Sequence, residues 1–316
     1  MATHNPDDDP RGHTGERFRT DNDSSDTMIL PGGRTLGYAQ YGLLTGKAVF
    51  YLHGLPGSHL EAAGFDTLGL EIGARVIAVD RPGIGWSSPH PGRSLLDHAK
   101  DLDQLATHLQ LDGYSVLGIS GGGPYALSCA FTSPSDKLKC VSIVCGLGPP
   151  DIGMKGAGWV HRLGFPLGFR YAPLGLVRWF YKYEGSGRLD LTDEQRLKRL
   201  LQRPVGHEKD NDFMRTDWPR LSVQSTRECF KQGFEGVWQD GRLMCTDFGF
   251  RIEDIRPGLP VQLWYGKFDT SVPLNHGVQI AARLGERADL RVVDETHASI
   301  VVNCMRDVFE ALLASS

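Results

Sequence analysis

From Met28 onward, short runs of hydrophobic residues alternate with longer stretches of helical period. Arg34–Tyr41 alternates apolar and polar residues as a hairpin strand does. Ala48–Leu52, Arg75–Val79, Tyr114–Ile119, Val141–Val144, Val261–Tyr265 and Leu290–Val293 are near-continuous apolar runs. A strand apolar on both sides belongs to a parallel sheet covered on both faces. Between these runs, Leu60–Ile72, Ser94–Leu109, Pro124–Phe131, Asn275–Leu284 and Ser299–Leu313 read as helices. The alternation predicts the α/β class, with a mostly parallel central sheet flanked by helices.

The alternation stops between about Leu147 and Cys245, where helical patterns occur without strand signals. The expected organisation is therefore a core of residues 27–147 and 246–316, with a helical cap, residues 148–245, inserted into it. Trp159, Trp179, Trp218 and Trp238 all fall in the insertion. They are expected to form the cap's own core, with a few facing a substrate pocket. Residues 1–26 are polar and acidic with almost no apolar content, the composition of a disordered tail.

Charge and cysteine usage narrow the class. Lys and Arg number 34 and Asp and Glu 38, a net charge of −4, so no basic footprint for nucleic acid is expected. No apolar run has the ~18 residues of a membrane span. The N-terminus lacks the apolar stretch of a secretory signal, and it is too acidic for a transit peptide. Cys129, Cys140, Cys145, Cys229, Cys245 and Cys304 form no CxxC pair. They read as reduced, buried small hydrophobes of a cytoplasmic protein. No metal-ligand cluster or dinucleotide fingerprint is present, so neither a metal nor another cofactor is expected.

Gly118-Ile119-Ser120-Gly121-Gly122 joins the apolar run YSVLGI to the helical pattern PYALSCAF. A strand–turn–helix with glycines on both sides of a serine suits a sharp turn that exposes the hydroxyl beyond the sheet edge. Serine needs a base within hydrogen-bond reach, and the base needs an orienting acid. Asp269 follows the run Val261–Tyr265 and is the candidate acid; Asp247 and Asp254 compete with it. His297 follows the last strand run and is the candidate base, whereas His276 lies inside a helical pattern. The loop His53-Gly54-Leu55-Pro56-Gly57-Ser58 follows AVFYL. Its Leu55 N–H and the N–H of Gly121 are the candidate oxyanion donors. His53 is expected to hold this loop, and Lys267 to point into solvent.

The blocks HGLPGS, DRPGIGWSS, GISGGGPYAL, WYGKFDTSVP and THAS, in this order and spacing, resemble the α/β-hydrolase fold family over about Met28 to Ser316. The resemblance implies Ser120 as nucleophile, His297 as base, Asp269 as acid, and Leu55 and Gly121 as oxyanion donors. Ser120 argues against the family branches with an aspartate nucleophile. Thr296 departs from the glycine more usual before the histidine and is expected to narrow the pocket. The leading expectation is a serine hydrolase cleaving an ester, lactone or thioester of a small molecule with an apolar part. Acyl transfer and lyase or C–C bond chemistry on the same triad are the alternatives, followed by a non-catalytic receptor.

Overall fold

The computed structural model describes residues 19–315. Among the described residues, eight strands form one sheet in the order β1-β2-β4-β3-β5-β6-β7-β8. They are β1 (Ser25–Ile29), β2 (Thr35–Gly42), β3 (Lys47–Leu52), β4 (Ala74–Val79), β5 (Tyr114–Ile119), β6 (Leu138–Val144), β7 (Val261–Gly266) and β8 (Ala288–Val293). β1–β2 and β2–β4 pair antiparallel, and all other pairs are parallel.

The apolar runs are continuous because alternate residues enter different cores. On β3, Ala48, Phe50 and Leu52 join one buried cluster, while Val49 and Tyr51 join the other. The flanking helices of the core are α1 (Asp66–Ile72), α2 (Leu95–His108) and α3 (Gly123–Thr132). Leu95, Ala99, Leu102 and Leu105 of α2, at helical spacing, pack on the first face. A reciprocal capping box between Ser94 and Asp97 starts that helix.

Between β6 and β7 the chain forms helices and no strand. The α-helices are α4 (Trp159–Leu163), which runs into a π-helical turn (Gly164–Phe169), α5 (Leu174–Glu184), α6 (Asp193–Leu201), α7 (Asp210–Met214), α8 (Trp218–Cys229) and α9 (Glu235–Met244). This insertion has its own apolar cluster, which includes Tyr181, Phe230 and Phe234. The core resumes with α10 (Asn275–Leu284), α11 (Ser299–Asn303) and α12 (Met305–Ala314).

Three expectations change. Residues 1–18 of the expected tail lie outside the described residues, but its remainder is ordered. Arg19 makes a two-pronged ion pair with Asp66 at 2.8 Å, and Ser25 and Asp26 belong to β1. Long-range pairing supplies there the enthalpy that local composition lacks. The pattern Leu60–Ile72 divides into a 3-10 segment, His59–Phe65, and α1. The pattern Ser299–Leu313 breaks at Cys304 between α11 and α12.

All six cysteines are buried and free. Among the described residues no helix is long and apolar enough to cross a membrane.

Candidate active site

The carboxyl ends of β3, β5, β7 and β8 bring the candidate residues together. Ser120 stands between β5 and α3 with φ of +54°, a left-handed backbone that side chains adopt only under strain. The turn closes because its neighbours lack side chains. A methyl on Gly118 would lie 2.6 Å from the Gly122 carbonyl oxygen, and one on Gly122 would collide with the Leu52 carbonyl oxygen. The N-terminal end of α3 lies behind the serine and favours negative charge there.

His297 follows β8. Its Nε2 lies 3.0 Å from Ser120 Oγ and its Nδ1 2.7 Å from Asp269 Oδ2. Asp269 is buried past the end of β7, and its Oδ1 accepts the backbone N–H groups of Ser271 (2.7 Å) and Val272 (2.8 Å). Burial pushes the Asp269 carboxyl up, but the imidazole's charge and hydrogen bond prevail and hold it below its ordinary value. Burial pushes His297 down, and the same carboxylate outweighs it, leaving the imidazole above its ordinary 6.5.

The other candidates lie elsewhere. Asp247 and Asp254 are exposed, and Asp247 accepts the N–H of Gly249. His276 accepts the N–H of Gly148 at Nδ1 and is lowered to about 4 by burial. Lys267 is exposed and pairs with Asp294 at 2.6 Å. His53 is buried with Nδ1 2.9 Å from the Gly54 carbonyl oxygen, and burial lowers its pKa to about 3.

The Leu55 loop meets the Ser120 turn. A methyl on Gly121 would sit 2.8 Å from Leu55 Cβ, 3.1 Å from Leu55 N and 3.1 Å from Met244 Cε at the end of α9. Two side chains to which the sequence assigned no role fix this loop. Glu61 Oε2 accepts the Gly54 N–H and the Tyr51 hydroxyl, each at 3.0 Å. Arg81 donates to the carbonyl oxygens of His53 at 2.7 Å and Gly54 at 2.8 Å. Its Nε donates to Asp240 of α9, which also takes Arg93 and, at 2.9 Å, the Tyr125 hydroxyl. Arg81, Arg93 and Asp240 are all buried. One carboxylate of the insertion thus braces the loop that carries Leu55. Arg81 stood in one of the blocks that carry the family resemblance, but Asp240 had no local signal.

Thr296 does something other than crowd the pocket. Its side chain is buried and donates to Asp210 of α7 at 2.6 Å, tying the His297 loop to the insertion. The four insertion tryptophans also divide. Trp218 packs against Phe65, and Trp238 donates to the Ala172 carbonyl at 3.0 Å. Trp159 and Trp179 face outward, contrary to both the core and the pocket expectation, because amphipathic spacing does not say which face is covered.

Cys145, Asp269 and His297 bring possible ligand atoms within 4.8 Å of one another. They do not fit a metal well. Asp269 and His297 already satisfy each other, and burial holds the Cys145 thiol protonated, whereas a metal takes the thiolate.

Residues 47–303 match the family described as the alpha/beta hydrolase fold. The chain belongs to the α/β-hydrolase fold family. An esterase structure from Exiguobacterium antarcticum, 18% identical, aligns with a TM-score of 0.65 over 92% of this chain and 99% of its own. At that identity it speaks for the fold alone. Of curated relatives, the uncharacterized hydrolase YcgS of Bacillus subtilis is 33% identical over 109 residues, 34% of this chain and 37% of its own. A putative proline iminopeptidase of Mycoplasma pneumoniae is 30% identical over 142 residues, 44% of this chain and 40% of its own. The matches thus span about two-fifths of these relatives' length. Within this α/β hydrolase, the strand ends that hold Ser120, Asp269 and His297 lie inside the family match.

Proposed function

We propose that this α/β hydrolase is a serine hydrolase that cleaves an ester, lactone or thioester of a small, largely apolar molecule. The observation that carries the reading is His297 bridging Ser120 Oγ at 3.0 Å and Asp269 at 2.7 Å. In this reading His297 Nε2 takes the Ser120 proton as Oγ attacks the carbonyl carbon. Asp269 holds the proton on Nδ1 and stabilises the imidazolium. The N–H groups of Leu55 and Gly121 receive the oxyanion. The tetrahedral intermediate collapses, the leaving group takes the proton from His297, and Ser120 keeps the acyl group. His297 then activates water, which releases the acid and restores the serine.

The insertion acts as a cap over this site, and Met244 beside Gly121 supports an apolar wall for the substrate. Six free, buried thiols support a reducing, cytoplasmic setting. A second reading, release of an N-terminal residue from a peptide, is favoured by the name of the Mycoplasma relative. Proline anilides tested beside acyl esters separate the two.

The base sets the pH dependence. Neutral imidazole is the active form, and Asp269 raises its pKa, so kcat/KM on a p-nitrophenyl ester should reach half its plateau above pH 6.5. Asp269→Asn removes the larger of the two raising charges and leaves burial opposed by Asp210 alone, so that midpoint should move down. The plateau should fall by roughly ten-thousand-fold through loss of the correct tautomer. An acid limb unmoved by Asp269→Asn would remove Asp269 from the role of acid.

A further inference from the structure

The outer side of the insertion carries an apolar and basic surface that the hydrolytic site does not use. In the segment from α4 through α5, Trp159 is 76% exposed, Tyr171 67%, Trp179 59% and Tyr183 79%, with Leu163 and Leu167 also more than half exposed. Scattered exposed apolar side chains are ordinary on a soluble surface, but this many in one short segment is not. Trp179 and Tyr183, one turn apart on α5, stack with ring centroids 5.4 Å apart on the solvent side. A groove between α4, the π-helical turn and α5, lined by Val160, Phe169, Leu176 and Phe180, continues the apolar surface.

The charge of the same segment is one-sided. Between Asp151 and Glu184 there are five Lys and Arg, namely Lys155, Arg162, Arg170, Arg178 and Lys182, and no acidic residue, in a chain whose net charge is −4. All five are exposed. Trp and Tyr combine an apolar body with a polar tip, and Lys and Arg reach outward on long apolar stems. Together they suit the boundary between acyl chains and anionic headgroups. A second copy is a poorer occupant, since a two-fold interface would face this basic segment with another that likewise holds no acidic residue. The inner side of the same element faces the site: Gly158 N–H donates to the Thr270 carbonyl at 2.8 Å, one residue past Asp269.

We propose that residues 155–183 dock this protein on the surface of an anionic phospholipid bilayer. Trp159, Trp179 and Tyr183 enter the interface, and the five basic side chains contact the headgroups. The docking needs no turnover, so it stands or falls independently of the proposed hydrolysis.

The full chain is to be sedimented with vesicles of phosphatidylcholine alone and of an equimolar phosphatidylcholine–phosphatidylserine mixture. The expected result is selective binding to the mixed vesicles, with a blue shift of tryptophan emission. Each basic side chain near such a surface is worth about fivefold in partitioning, so Arg170→Gln/Lys182→Gln should weaken binding about twenty-five-fold at low salt. Trp179→Ser/Tyr183→Ser should abolish the binding that remains at high salt. Both pairs are exposed, and circular dichroism and thermal melting should match wild type. Failure of wild type to bind the mixed vesicles overturns the proposal, as does binding that neither double variant changes. A concentration-dependent dimer lost in Trp179→Ser/Tyr183→Ser, without vesicle binding, overturns it in favour of a second copy.

Discussion

Ser120→Ala and His297→Ala should each lower kcat on an activated ester by about a millionfold, and the double variant should be no slower than either. The reason is geometric. In the proposed mechanism the hydroxyl is activated only through the imidazole 3.0 Å away, and the imidazole has no reacting atom to serve once the hydroxyl is gone. Two groups that act on one proton cannot have additive losses. The residual rate should come from the Leu55 and Gly121 N–H groups and from binding. Single-turnover measurements on the three variants with one substrate make the comparison. A double variant slower than either single by the product of the two losses would mean that Ser120 and His297 act in separate steps.

Asp240→Asn should give the largest loss of stability, about 3–5 kcal/mol, seen as a melting temperature lowered by roughly 10 °C. Asp240 is the buried carboxylate onto which Arg81 and Arg93 both donate. Burial pushes its pKa up, but the two guanidinium groups hold it well below its ordinary value, so it stays ionised. The amide keeps the shape and removes the charge, leaving two buried guanidinium groups without a counter-ion. The cost is that of an uncompensated charge rather than of a lost hydrogen bond. The same substitution should slow turnover at temperatures where the variant is folded, by roughly ten- to a hundredfold. Arg81 reaches from Asp240 to the His53 and Gly54 carbonyls, and the loop it fixes carries Leu55. A melting temperature within a degree or two of wild type would show that water or another group compensates the two arginines.

The sheet was legible where burial made it so. Six strands read directly from their hydrophobic runs because residues of both parities on each strand pack into a core, and β2 read from its alternation. β1 escaped because Ser25–Ile29 is an edge strand with a mostly polar sequence and partly exposed side chains. Its place depends on pairing with β2 and on Ser25 meeting His59 at 3.1 Å, contacts between residues distant in the chain. The break at Cys304 is a matter of packing, since apolar spacing continues through it.

The candidate site divides in the same way. Ser120, Asp269 and His297 were legible because each follows a strand run, and the ends of neighbouring strands in a parallel sheet converge on one edge. Arg81, Arg93 and Asp240 were not, since their partners lie 147 and 159 positions apart and no local pattern links them. The outward turn of Trp159 and Trp179 was hidden for a related reason. Helical periodicity says which residues share a face, whereas the neighbours of that face decide whether it is covered. Thr296 shows the same limit, since its hydroxyl is directed by Asp210, a residue from another part of the chain.

In the proposed mechanism Ser120 is an activated nucleophile. Intact-protein mass after incubation with a fluorophosphonate tests it most directly, on wild type and on Ser120→Ala. One adduct is expected on wild type and none on Ser120→Ala, with both proteins folded. A folded wild type that takes no adduct, or an adduct that persists in Ser120→Ala, would contradict it.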